Sequence, residues 1–203
     1  MSVIGLVHDS YVFDRRVQVL AGHLAEALPP GARVLDVGCG DGRVARLVME
    51  RRPDVSISGI DVLIRGQTQI PVREFDGQRI PHGDASFDAV SFVDVLHHTE
   101  DPMVLLREAA RVARGSVVIK DHTRDGLLAG PTLRFMDWVG NARHGVVLPY
   151  NYWPARRWHA AFEELGLGVE SWTSDVGLYP PPLSWAFGRS LHFVARLGKV
   201  PAR

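Results

Sequence analysis

A nine-residue segment, VLDVGCGDG at positions 34–42, limits what this chain can become. It starts as an apolar run, ends in three closely spaced glycines, and gives way at once to helical periodicity in RVARLVME at 43–50. Strand, tight turn and helix in that order begin a βαβ unit. Gly38, Gly40 and Gly42 can take dihedrals closed to other residues, so backbone can approach a ligand here without side-chain obstruction. The dinucleotide fingerprint GxGxxG needs its third glycine one place later, where Arg43 stands. Asp36, just before the glycines, would repel a pyrophosphate and suits a ligand that carries positive charge.

The same alternation runs on. Residues 13–28 place Val17, Leu20, Leu24 and Leu28 at helical spacing, and 55–61, 88–93 and 116–120 read as further strands. The last two are nearly all apolar, as strands covered on both faces are. Residues 102–113 form a helix that opens on Pro102 after two acids. Right-handed crossovers of this kind build an α/β, doubly wound, Rossmann-like fold with helices on both faces of a mostly parallel sheet. Beyond 120, helices are expected at 127–142 and 154–165, a turn at 148–153, and a closing strand pair at 169–175 and 190–197. The YPPPLSW segment between those strands reads as a surface loop, because three prolines remove three ladder donors.

Length and charge exclude several classes of function. A chain of 203 residues is the size of one domain, and no linker divides it. We therefore expect one domain over 1–203, with a cofactor-binding core at 30–120, an acceptor-site or lid region at 121–189 and the last strand at 190–198. Its 23 basic residues balance 23 acidic ones, so no overall field attracts nucleic acid, and none is expected as a partner. Cys39 is the single cysteine, which excludes an internal disulfide framework and makes a cytoplasmic location the default. No run of 18 apolar residues marks a transmembrane segment. The expected partner is a small molecule, and the choice between monomer and homodimer stays open.

Asp61 ends the second strand, where a carboxylate can accept hydrogen bonds from both ribose hydroxyls of a nucleoside cofactor. Asp76, beside Gly77 and after a short third strand VREF, can accept from an adenine amino group. Singly, each acid is more readily a turn or helix cap; together with the glycines, they read as one cofactor site.

VLDVGCGDG, GID at 59–61, IPHGDASFDAV at 80–90 and VDVLHHTEDP at 93–102 occur in the order and spacing of class I S-adenosylmethionine-dependent methyltransferases, and the chain resembles that family, in its small-molecule and lipid-like branch, over most of its length. The resemblance implies a seven-stranded sheet in three αβα layers whose last strand, SLHFVARL, is antiparallel. It implies S-adenosylmethionine as cofactor, with Asp36 and Gly38 at the methionine part, Asp61 at the ribose, and Asp76 with Gly77 at the adenine. Cys39, Gly40 and Val62 would line the same pocket, and backbone at Val93 and Asp94 would flank the sulfonium. The implied activity is methyl transfer, in the EC 2.1.1 class. The alternatives are a nicotinamide-dependent oxidoreductase and a non-catalytic protein that keeps the fold.

Transfer from a sulfonium is an in-line displacement that needs alignment and exclusion of water above all. A hydroxyl acceptor would use a histidine base, and His97, His98, Asp121 and His122, after the fourth and fifth strands, are the candidate catalytic cluster. No i, i+4 histidine pair or cysteine-rich spacing supports a metal, and none is expected. Phe135, Trp138, Asn141 and Tyr152 are the candidate acceptor contacts, from an aromatic-rich stretch that also includes Trp153 and Trp158. That stretch reads equally as a lid over a hydrophobic acceptor or as a small accessory core.

Overall fold

The computed structural model describes residues 3–141, 149–188 and 190–200, with side chains described for 13–139, 149–188 and 190–200. Its apolar runs become the strands of one sheet: β1 (Arg33–Val37), β2 (Ser56–Asp61), β3 (Val72–Glu74), β4 (Phe87–Val93), β5 (Ala113–His122), β6 (Leu167–Thr173) and β7 (His192–Lys199). Their spatial order is β3-β2-β1-β4-β5-β7-β6. The first five are mutually parallel, and β7 is antiparallel to both β5 and β6. The seven-stranded, mostly parallel sheet with an antiparallel last strand is therefore as expected.

Helices α1 (Val3–Ala27), α2 (Arg43–Arg51), α3 (Pro102–Val112), α4 (Ala129–Asn141), α5 (Ala155–Glu164) and α6 (Leu183–Phe187) complete the layers. Period-2 alternation sends neighbouring strand residues to opposite faces. Leu35, Val90, Val117 and Ile119 join Leu106 and Trp158 in one cluster, while Val34, Ala89 and Val118 join Val17, Leu24 and Val48 in the other. One cluster is covered by α3 and α5, the other by α1 and α2. Asp101 caps α3 by accepting from Met103 N at 3.0 Å, and Pro102 occupies its first turn, where a missing N–H costs nothing.

Four local expectations change. α1 begins at Val3, ten residues before the expected start at 13. β5 extends to His122, so Asp121 and His122 lie within the strand rather than after it, because β7 pairs with them (Asp121 with Phe193, His122 with His192). YPPPLSW is not wholly loop: Leu183–Phe187 is a short helix that starts after Pro182, where proline is permitted. The third strand is only Val72–Glu74, shorter than VREF. Among the described residues no helix is long and apolar enough to cross a membrane.

Candidate active site

The glycine turn takes its shape from close approaches that only glycine allows. Gly38 and Gly42 have φ of 72° and 78°, and a Cβ would lie 2.6 Å from Val95 Cγ2 at the first and 2.4 Å from Ile70 Cγ1 at the second. The turn is fastened to β2 by Gly38 N donating to Ile60 O at 2.8 Å and by Gly40 N donating to Asp61 Oδ2 at 2.8 Å. Asp61 Oδ1 accepts from Leu63 N at 3.0 Å, so this carboxylate organises the loops after β1 and β2 together. Cys39 backs onto Gly59, where a Cβ would collide with its sulfur. Burial, together with Asp36 and Asp61, pushes the Cys39 thiol far up, so it stays protonated.

Asp36 lies inside β1 and is buried; the sheet register sets it beside Ser91, whose Oγ donates to Asp36 Oδ1 at 2.8 Å. Burial pushes its carboxyl up to about 7 against the Ser91 bond, and Asp61 pushes the same way. A buried carboxylate with one hydrogen bond and a second acid nearby is short of a cation. Asp76 sits apart and exposed, its Oδ1 accepting from Gln78 N and Arg79 N at 2.8 Å each, which holds its carboxyl down. Gly77 (φ 76°) leaves room for Val62, whose Cγ1 would be 3.0 Å from an added Cβ. Val62 and the neighbouring Leu63 and Ile64 are exposed apolar residues beside that loop.

Val93 ends β4, and Asp94 follows in the left-handed region at φ 57°, its N donating to Lys120 O at 2.9 Å. Its side chain ion-pairs with the buried Lys120 ammonium and lies 3.6 Å from Arg16. Burial alone would raise the Asp94 carboxyl, but Lys120, His122 and Arg16 outweigh it and keep the group ionised.

Beyond Asp94, the four candidate catalytic residues meet. Asp121, fully buried, accepts from Leu96 N at 3.0 Å and from His122 N at 2.8 Å, and its Oδ1 is 2.7 Å from His97 Nδ1. The His97 ring lies 4.0 Å from that of His98 and 4.5 Å from that of His122, centroid to centroid. Burial alone would lower all three imidazoles. For His97, Asp121 and Asp137 reverse this and hold it at about 10, whereas Lys120 and His97 help drive His122 down to about 4, and His97 helps lower His98.

The candidate acceptor residues divide. Tyr152 is buried in the cluster, its ring 5.4 Å from that of His97 and its hydroxyl donating to Asp137. Phe135 and Trp138 occupy an outward face of α4, each more than half exposed, with the Phe135 ring 6.4 Å from that of Phe187 on α6. The Asn141 side chain lies outside the described residues. Trp153 and Trp158 are buried together with Phe162 and Phe193 in the main apolar cluster, the one that holds Leu35 and Val90, rather than in a separate accessory core. A cavity of about 320 Å³ lined by Ser174, Tyr179, Ser190 and His192 adjoins the cluster, His192 lying 4.7 Å from His122 by ring centroids. Ser91, Lys120, Arg16 and His192 went unread in the sequence: Lys120 reads as the end of an apolar strand, and nothing local announces that Asp94 faces it.

A glycine turn, a buried acid and a polar cluster at the carboxyl ends of parallel strands define a cofactor-binding α/β enzyme. The chain belongs to the methyltransferase-domain family, whose profile matches residues 8–171. It is 32% identical over 196 residues to the 27-O-demethylrifamycin SV methyltransferase of Amycolatopsis mediterranei (strain S699), covering 87% of this chain and 69% of that protein. It is 33% identical over 112 residues to the demethylmenaquinone methyltransferase of Thermotoga maritima, spanning 51% of this chain and 47% of that one. An S-adenosylmethionine-dependent methyltransferase from Mesorhizobium loti shares the fold at a TM-score of 0.65 and 20% identity, over 86% of this chain and 94% of the other. The cofactor is S-adenosylmethionine, and the cation-seeking Asp36 and the cradle at Gly38 and Gly42 fit it.

Proposed function

We propose that this chain methylates a hydroxyl oxygen of a small, ring-bearing acceptor, as an enzyme of the EC 2.1.1 class. The observation that carries this reading is the imidazole cluster held by Asp121 directly beyond Asp94. The A. mediterranei relative, named for a 27-O position, points the same way. S-adenosylmethionine supplies an electrophilic methyl on a sulfonium. Asp36 and Gly38 would hold its methionine part, Asp61 its ribose, and Asp76, Gly77 and Val62 its adenine, with Cys39 and Gly40 backing the turn and Val93 and Asp94 beside the sulfonium. The acceptor would fill the cavity bounded by Tyr179 and His192, a volume at the lower end of the usual range for small-molecule sites.

His122 is the assigned proton acceptor, with Nδ1 3.6 Å from Asp94 Oδ1 and the strand fixing its ring. Asp121 positions it and His97 together, a device worth about 10²–10⁴-fold in rate where proton transfer accompanies the chemistry. Phe135, Trp138 and Asn141 are assigned to the approach over α4. The test is a screen of phenols, hydroquinones and hydroxylated polyketides for release of S-adenosylhomocysteine. His122→Asn should then keep cofactor binding and lose turnover at least 100-fold. Methylation confined to amine or thiol acceptors would refute the oxygen assignment, and full turnover by His122→Asn would refute the base.

A further inference from the structure

His97 turns its second ring nitrogen toward Asp137 without a formed hydrogen bond. Its Nδ1 is committed to Asp121, while its Nε2 is buried with no hydrogen-bond partner, 3.5 Å from Asp137 Oδ1. His98 packs against it and brings Nε2 to 4.0 Å from the same oxygen. The three ligand atoms lie within 4.8 Å of one another, on the turn after β4 and on α4. A tetrahedral ion with bonds of about 2.1 Å has ligand edges of about 3.4 Å, so the 3.5 Å edge is already met, the 4.0 Å edge needs a shift of about 0.6 Å, and the His97–His98 edge lies within 4.8 Å. Behind the triad, Asp121 accepts from the far nitrogen of His97, the carboxylate–histidine arrangement that orients metal-bound imidazoles.

We propose that His97, His98 and Asp137 bind one divalent first-row transition-metal ion, of the Zn²⁺, Co²⁺ or Fe²⁺ kind. Two imidazoles and one carboxylate suit such ions and leave a coordination position open. Asp94, His97 and His122 form a second group of suitable spacing, but the Lys120 ammonium on Asp94 and the Arg16 guanidinium 3.6 Å away already supply its positive charge. The expectation of no metal rested on the absence of an i, i+4 pair. Here adjacent histidines in a tight turn converge on an aspartate 39 positions beyond His98, a pattern that sequence spacing does not reveal. Any use of that position in activating an acceptor hydroxyl rests on the oxygen reading above.

Binding is read without any acceptor, so its failure and that of O-methylation are separable. Tag-free protein, stripped with chelator, is titrated with Zn²⁺ calorimetrically and with Co²⁺ by visible absorption. One equivalent should bind, with cobalt bands of an imidazole- and carboxylate-ligated ion. His98→Ala and Asp137→Asn, checked for fold by retained S-adenosylmethionine binding, should weaken binding about 100-fold or more, and Asp121→Asn about 10- to 100-fold. Asp94→Asn should bind metal like the parent. Absence of stoichiometric binding would overturn the proposal, as would parent-like affinity in both His98→Ala and Asp137→Asn, or loss confined to Asp94→Asn.

Discussion

Asp36 shows how a single buried carboxyl links stability to ligand. Its pKa is raised by burial from 3.8 to about 7, so between those values the unfolded chain gives up its proton first and folding weakens as pH rises. At about 1.36 kcal/mol per pKa unit, the cost at pH 8 is on the order of 4 kcal/mol and largely vanishes below pH 4. Asp36→Asn, which can still accept from Ser91, should therefore raise the Tm of ligand-free protein at pH 8 by several degrees and much less at pH 5. Equal gains at both pH values in a thermal melt would show that burial of the charge is not the cause. The same variant should lose cofactor affinity, because the cation is held by the ionised form. For the parent, affinity should fall as pH drops below about 7, approaching tenfold per unit, with a proton released on binding. A calorimetric Kd that stays flat from pH 5.5 to 8 would detach Asp36 from the cofactor. Asp61 acts differently: its two oxygens take the N–H groups of Gly40 and Leu63. Asp61→Ala should lose cofactor binding and also about 1–3 kcal/mol of stability, as two backbone donors lose partners. Unchanged affinity would remove it from the site.

At the scale of elements, the glycine turn is the tightest constraint. Gly38→Ala would force a Cβ against Val95 and hold an L-residue at φ 72°. It should cost about 1–3 kcal/mol in denaturant melts and weaken the cofactor disproportionately; a melt like that of the parent would mean the turn can relax. This turn was legible in the sequence because strand, glycines and helix are contiguous, and β1, β4 and β5 were legible as apolar runs. β3 was read only as the short run VREF, since three residues carry no period. What escaped was tertiary. Lys120 completes an apolar strand, and only the parallel register of β4 and β5 sets it against Asp94. Asp137 sits on α4 with nothing in its neighbourhood to indicate His97, and the aromatic stretch divides because Trp158 turns into the core while Phe135 and Trp138 turn out. Trp158→Ala should therefore act on stability, by about 3–5 kcal/mol, with the cofactor constant unchanged in the surviving folded fraction.

Across the whole molecule, the two largest apolar clusters share the strands of one sheet: Val34 and Leu35, Ala89 and Val90, Val117 and Val118 are neighbours that face opposite layers. Neither layer can lose its packing without exposing the other's strands, so unfolding is expected as one cooperative transition. The proposed cofactor contacts come from the loops after β1, β2, β3 and β4, on both sides of the sheet's first crossover. A ligand that bridges them stabilises the entire transition by RT ln(1 + [L]/Kd), about 2.7 kcal/mol at a hundredfold excess over Kd. For a chain of this size that corresponds to a rise in Tm of about 5–10 °C. S-adenosylmethionine should produce it in a single, uniformly shifted melt at pH 8, and NAD at the same concentration should produce none, since a pyrophosphate meets Asp36 where the sulfonium cofactor brings an ammonium. Two melting steps, of which only one moves, would mean that the layers uncouple and that the cofactor is bound by one half of the sheet alone.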